Sequence, residues 1–143
     1  MTPAKDASGP VAVAVYAALN VASLTALATG GVFDMDDVPQ SSTTPYVGIE
    51  VVDEQSGEMD TMGKHGAEVL VHVHAFSRYE GGKEAQAIVG KAKELLDYQA
   101  LTVAGWTFEA CQWRRSFRVD DEIIAGLRTQ HRVAEFNVRV FEA

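Results

Sequence analysis

The chain has 143 residues, of which 47% are hydrophobic and 22% are charged, values that predict a single globular domain over 1–143 and exclude a disordered chain. Its net charge of −8, with twelve scattered lysines and arginines, argues against a nucleic-acid-binding surface, because phosphate contacts need clustered basic residues. The lone cysteine, Cys111, excludes an intramolecular disulfide and a CxxC-type metal or redox site.

The first predicted element is a helix that begins at Pro10, because proline is favoured at the first helical position. Apolar residues then recur at helical spacing, namely Val11, Val15, Ala18, Leu19 and Ala22. This run could imitate a secretory signal peptide, but Tyr16 and Asn20 interrupt it. We therefore predict an amphipathic helix that covers a sheet and belongs to the core.

A second short helical turn through Leu24 and Leu27 is predicted to end at a glycine pair. Val32 and Phe33 then form a short strand, and residues 34–44 an exposed connection rich in Asp, Ser and Thr. Residues 45–52 are predicted to be a strand, because β-branched and aromatic residues dominate them.

Residues 53–66 are predicted to form a long acidic hairpin loop with little order of its own. They combine three glycines with four carboxylates, Asp53, Glu54, Glu58 and Asp60. Such a segment has little apolar area with which to offset the entropy of ordering, so we expect it to order against a neighbouring molecule.

The clearest strand pattern lies at residues 69–76, where aliphatic residues alternate with His72 and His74. The pattern predicts one face buried under helices and a second face that is partly wet. Two histidines so spaced on a strand could chelate a metal, but no third ligand is evident nearby. We expect surface or interface residues here, and no metal site.

A glycine pair ends this strand, and a helix with one apolar stripe is predicted over 83–98. Two further strands, at 106–117 and 127–141, are separated by a predicted acidic turn at Asp120-Asp121-Glu122. The connections are too short for most strand pairs to be parallel. The expected fold class is therefore α+β, a mostly antiparallel β-sheet with two helices packed on one face.

No pattern in the sequence predicts catalysis, a cofactor or a metal. Cys111 in a strand is typical of a small buried hydrophobe, not of a nucleophile. The carboxylate pairs lie in predicted turns, where burial cannot separate their pKa values, and no glycine loop has the context of a phosphate-binding motif. Arg114, Arg115 and Arg118 form the tightest basic group, which favours a solvated face or an ion-pair site.

Several short segments occur in a characteristic order along the chain. At its centre a strand ending in His72-Val73-His74-Ala75-Phe76-Ser77-Arg78 passes through a glycine pair into a helix that opens Lys83-Glu84-Ala85. Nearer the start lie residues 19–28, Val32-Phe33-Asp34, Val38-Pro39-Gln40 and Pro45-Tyr46-Val47. This arrangement resembles the tail-completion or tail-terminator proteins of long-tailed phages, prophages and gene transfer agents. Phe76 stands where that family usually has tryptophan.

The resemblance implies a structural virion protein that caps the tail tube as a ring, commonly hexameric, and joins the tail to the head connector. Its partners would be further copies of itself, the tail-tube protein and head connector or adaptor proteins. DNA would pass through the lumen without specific binding, and no membrane would be involved. The protein would be made in the host cytoplasm and reside at the head-proximal end of the tail.

Three alternatives remain open at this point. The nearest is another structural role, as a head–tail adaptor or a tail-tube subunit. The others are a small metal- or cysteine-dependent enzyme and a secreted binding module. Candidate subunit contacts come from the acidic loop, the wetter strand face and the basic group: Asp53, Glu54, Glu58, Asp60, His72, His74, Arg114, Arg115 and Arg118.

Overall fold

The computed structural model describes residues 3–57, 64–79, 81–124 and 126–143. Its elements in chain order are α1 (Ser8–Leu19), α2 (Ala22–Thr25), β1 (Val32–Asp34), a 3₁₀ turn (Met35–Asp37), β2 (Tyr46–Ser56), β3 (Gly66–Ser77), α3 (Lys83–Leu96), β4 (Trp106–Ile124) and β5 (Leu127–Glu142). The expected α+β class is confirmed.

The five strands form one sheet in the order β1-β2-β3-β5-β4. β1 runs parallel to β2, and every other pair is antiparallel. Helices α1 and α3 contact each other, and both pack on the sheet, α1 over β1, β2 and β3 and α3 over β3, β4 and β5. The sheet is therefore mostly antiparallel with two helices on one face, as the hydrophobic pattern predicted.

The core lies between these helices and the face of β3 that carries valines. Val69, Val71 and Val73 are fully buried there, because alternate side chains of a strand point to the same face. The largest fully buried side chain is Phe136 of β5, which pairs with Val71 in register. Each such side chain contributes about 1.5–3 kcal/mol on burial, so β3 and β5 anchor the fold.

Helix α1 begins at Ser8, two residues before the predicted start, because a carboxylate from β2 completes its N-terminus. Glu54 accepts hydrogen bonds from the Ser8 hydroxyl, the Ser8 N–H at 2.8 Å and the Ala7 N–H at 3.3 Å. These amides have no partner within the helix, and a negative charge there also interacts favourably with the positive end of the helix dipole. Glu54 thus ties the far end of β2 to α1.

The prediction of a loop over residues 53–66 is wrong for its first part. β2 continues to Ser56, and its register with β3 runs from Asp53 opposite Leu70 to Ser56 opposite Ala67, after a bulge at Val51–Asp53. The acidic composition suggested a loop, but the backbone groups of these residues form hydrogen bonds with β3. Glu58 and Asp60 lie outside the described residues.

The predicted acidic turn is also wrong, because residues 120–122 lie inside β4. The strand runs on to Ile124, with a bulge between Val119 and Glu122, and Ile124 pairs with Leu127 at the hairpin end. The Asp121 carboxylate is compensated there by two arginines, Arg118 at 3.4 Å and Arg128 at 2.5 Å. Ion pairs with one arginine of β4 itself and one of the facing strand β5 therefore allow an acidic residue to occupy the strand.

Two valines of α1 test whether this helix belongs to the core. Val15 is fully buried and Val13 is 69% exposed. We expect Val15→Ala to lower the free energy of unfolding by about 2 kcal/mol, since it removes two buried methyl groups. Val13→Ala is the matched control and should change it by less than about 0.5 kcal/mol. Denaturant unfolding measures both, and a silent Val15→Ala would contradict the packing of α1.

Candidate functional site

The sheet face opposite the helices carries a cluster of histidines and carboxylates. The register places Glu50 of β2 opposite His72 of β3, and His72 opposite Glu135 of β5. Phe76 faces His131 in the same way. His74, His131 and Glu135 are buried and His72 is half-buried. This face is partly wet, with Glu50 exposed and His72 half-buried, but His74 itself is buried.

Four side chains form a hydrogen-bonded chain across this face, which we name the histidine relay: Glu50, His74, His131 and Glu122. Glu50 Oε1 lies 3.0 Å from His74 Nε2, and Glu122 Oε1 lies 3.1 Å from His131 Nδ1. Between them His74 Nδ1 and His131 Nε2 are only 2.6 Å apart. Both imidazoles therefore use both ring nitrogens.

The partners of the histidine relay fix its protons. Each outer nitrogen faces a carboxylate and must be an N–H donor, and the central contact needs one donor and one acceptor. The donor and the acceptor of this contact are assigned from the hydrogen-bond pattern. A further proton on His74 or His131 would set two N–H groups against each other at 2.6 Å. The central contact therefore disfavours protonation of its acceptor nitrogen.

Burial and the neighbouring His131 both disfavour the charged form of His74, whereas Glu50 favours it. Burial of the ring lowers the pKa of His74 below its ordinary value of 6.5, and the nearby His131 adds to this, against the opposing hydrogen bond to Glu50. Aromatic rings close the relay from one side, since Phe76 stacks on His131 at 4.3 Å and on Tyr46 at 4.8 Å. His74 is accordingly a neutral donor to Glu50.

A second network on the same face centres on Glu135. His72 Nε2 lies 3.0 Å from Glu135 Oε2, Arg115 Nε donates to the same oxygen at 3.1 Å, and Arg114 Nε lies 3.8 Å from Oε1. Burial opposes ionisation of this carboxyl, but the hydrogen bonds from His72 and Arg115 outweigh it and lower the pKa of Glu135. Glu135 is therefore ionised, and its hydrogen bonds join β5 to His72 of β3 and to Arg115 of β4.

The structure brings only some of the predicted contact residues together. His72, Arg114 and Arg115 meet at Glu135, and His74 lies beside them in the relay. The remaining described candidates lie elsewhere: Arg118 pairs with Asp121, Asp53 is an exposed strand residue, and Glu54 caps α1.

Sequence reasoning missed four members of this face, Glu50, Glu122, His131 and Glu135. Each reaches the histidines through strand pairing. Glu50 opposite His72 could have been found by aligning the predicted β2 and β3 as a hairpin. The partners from β4 and β5 are 48 or more positions from His74 in sequence, and local patterns carry no signal for such contacts.

Part of this face has the composition of a metal site. Within the described part of the chain, a carboxylate oxygen of Glu50 and ring nitrogens of His72 and His74 lie within 4.8 Å of one another. A ligating nitrogen must be free of its proton. Here His74 Nε2 donates to Glu50 and His72 Nε2 contacts Glu135, so the carboxylates already use the positions that a metal would occupy.

The lone thiol has no nucleophilic character. Cys111 is buried in the core under α3, and burial, with the nearby Asp97 carboxylate, raises the pKa of Cys111 to about 12. The thiolate is the reactive form of cysteine, so this residue is inert near neutral pH. It packs as a small apolar side chain.

Comparison with known proteins places the chain among virion components. The family model described as "Tail completion protein gp17" matches residues 13–140. A chain from the virion of a native gene transfer agent (GTA) particle is 19% identical, with a TM-score of 0.79 over 96% of this chain and 99% of that chain. The bacteriophage SPP1 gp17 protein is 19% identical, with a TM-score of 0.47 over 90% and 89%. No curated protein matches in sequence.

The first of these structures shares the fold of this chain. Among the described residues no helix has the length and apolar character that crossing a bilayer requires.

The lowered pKa of His74 predicts a loss of stability in acid. The unfolded chain takes up a proton near pH 6.5 and the folded state resists it, so the contribution is complete above pH 6.5 and declines below it. His74→Gln should lower stability at pH 7 but flatten its dependence between pH 7 and 5.5. Urea unfolding across this range tests it; an unchanged slope in the variant would contradict the assignment.

Metal removal should leave the protein unchanged, because the two Nε2 atoms already face carboxylates. Thermal unfolding before and after dialysis against a strong chelator should give the same midpoint. A fall of several degrees would show that Glu50, His72 and His74 hold an ion.

Proposed function

The chain belongs to the tail completion protein gp17 family, and from this premise we propose that it closes into a ring on the tail tube and joins the tail to the head connector. The resemblance noted in the sequence is thereby confirmed, and the protein is a structural component of a phage-like virion. The observation that carries the proposal is the family match over residues 13–140.

A closed ring follows from the task of ending a tube. Identical subunits that make a head-to-tail contact either close into a ring or grow without limit, and a protein that completes a tail must stop growth. A hexamer is the ring number that we propose, in keeping with the resemblance. Single-domain architecture fits a ring subunit, and we take residues 1–143 as one domain because α1, α3 and the sheet share one hydrophobic core.

The sheet face that carries the histidine relay and the Glu135 network supports a structural role more than a chemical one. Its carboxylates and imidazoles pair with one another, and buried networks that are fully paired rigidify a surface. Arg114 and Arg115 remain 57% and 64% exposed at the rim while they pair with Glu135. Exposed guanidinium groups keep donors for a neighbour's carboxylates, so these residues stay candidate contacts.

The charge of the chain suits a passage for DNA. Each subunit has a net charge of −8. A ring of these subunits therefore repels phosphates that come within about one Debye length of it. DNA would therefore move through the lumen without being held, whereas a basic lumen would retain it. The tail-tube protein and the head connector are the proposed partners at the two ends of the ring.

A deletion tests the proposal in the particle. Without this protein we expect filled heads and separate tails, or tails of uncontrolled length, because no ring ends the tube. Electron microscopy of the particles and complementation with the wild-type chain provide the measurement and its control. Normal joined particles from the deletion strain would refute the function, and defective heads with normal tails would favour an adaptor role.

A further inference from the structure

A cavity of about 850 Å³ lies between the loop after β3 and the β4–β5 hairpin. Four arginines from different parts of the sequence line it: Arg78, Arg118, Arg128 and Arg132. They are a third of the chain's twelve lysines and arginines, although the protein as a whole is acidic. We name this the arginine cavity. Folding has gathered positive charge that the sequence spreads over 55 positions.

The arginine cavity is held open by contacts of its own wall. Arg78 donates to the carbonyl oxygen of Ile124 at 2.9 Å and to Thr129 Oγ1 at 3.4 Å, which fastens the end of β3 to the hairpin. Across the hairpin, Arg118 of β4 and Arg132 of β5 are direct cross-strand partners. Like charges in that position are destabilising, so this pairing points to a purpose beyond folding.

The positive charge of the arginine cavity is only partly compensated. Arg118 and Arg128 share the Asp121 carboxylate, and the hydrogen bond from Arg128 lowers the pKa of Asp121. Of the described residues that line the cavity, none is acidic. Among the ion pairs of the described residues, none includes Arg132. Within the described residues, one carboxylate thus serves both Arg118 and Arg128, and the Arg132 guanidinium has no ion-pair partner.

We infer that the arginine cavity is an anion site that takes carboxylates from a second copy of this chain. The inference rests on the proposed ring and deepens it by naming one contact. Guanidinium groups bind carboxylates through paired, charge-assisted hydrogen bonds. A head-to-tail contact joins two different patches of the same chain, so the matching patch must be acidic and must lie elsewhere on the subunit.

The 3₁₀ turn beside β1 has the matching charge. Asp36 and Asp37 are exposed there, next to β1 at one edge of the sheet, whereas Arg118 belongs to β4 at the other edge. Asp34, the last residue of β1, caps this turn by accepting a hydrogen bond from the Asp36 N–H at 2.9 Å. Acidic and basic groups at opposite edges of one sheet permit a contact that repeats from subunit to subunit.

A subunit carboxylate fits this site better than a DNA phosphate. The arginines surround one cavity instead of forming a stripe along the surface, and a DNA backbone needs a track of contacts. The net charge of −8 also repels a polyanion at long range. DNA is therefore an outcome of the test, and the second copy is the assigned occupant.

Charge reversal at Arg132 is the sharpest test, because it removes no ion pair between residues that the structure describes. In full-length protein, Arg132→Glu should raise the dissociation constant of assembly at least about tenfold at low salt, as measured by sedimentation velocity. The matched control is Lys5→Glu, which reverses an exposed lysine outside the cavity that has no ion pair among the described residues, and it should assemble as the wild type does. Equal melting temperatures of the dissociated subunits confirm that both variants fold; if Arg132→Glu does not, Arg132→Gln replaces it.

Reversal of both charges identifies the occupant. Asp36→Arg alone should also weaken assembly, and Asp36→Arg combined with Arg132→Glu should restore most of it. Weakening by both single variants without restoration in the double variant would overturn the assigned pairing. Undiminished assembly of Arg132→Glu would overturn the site, while the wild-type ring and the proposed function would stand.

Binding of a fluorescent DNA duplex is measured on the same proteins by anisotropy. Loss of duplex binding in Arg132→Glu with normal assembly would overturn the inference in favour of phosphate as the ligand. If the wild-type protein forms no oligomer at any concentration tested, ring closure fails as a function and this contact fails with it. The two failures are thus distinguishable.

Discussion

The separation of two faces along β3 is the constraint on which the rest of the structure depends. Its valines lie under α1 and α3, and His72 and His74 point to the opposite face. Because the side-chain period of a strand is two, a shift of one residue would bury the histidines in the apolar core and expose the valines. Burial of the valines therefore fixes the register, and the register assembles the histidine relay.

The hydrogen-bonded contacts on the polar face of the sheet then follow from the strand register that packing on the apolar face sets. Once β2 and β5 are in register, Glu50 and Glu135 arrive at hydrogen-bonding distance from His74 and His72, and β4 adds Arg115. A buried imidazole or carboxylate without a partner is costly, so the complete pairing also stabilises the register.

Local sequence patterns predicted the elements that pack against the core. The alternation in β3 and β5 and the apolar stripe of α3 identified these elements, since burial on one face imposes a period. Residues 53–56 and 120–122 were assigned to a loop and a turn because they are acidic. In the structure, strand pairing and the arginines beside Asp121 accommodate them. The relay and the arginine cavity join residues far apart in sequence, and no local pattern predicts them.

The central claim is that this chain ends the tail as a closed ring, and its location in the particle tests that claim most directly. Cryo-electron microscopy of assembled particles should show one ring of this α+β subunit at the head-proximal end of the tail, with the sheet edges of neighbouring subunits in contact. Density for the subunit repeated along the length of the tail, or confined to the head, would contradict the account.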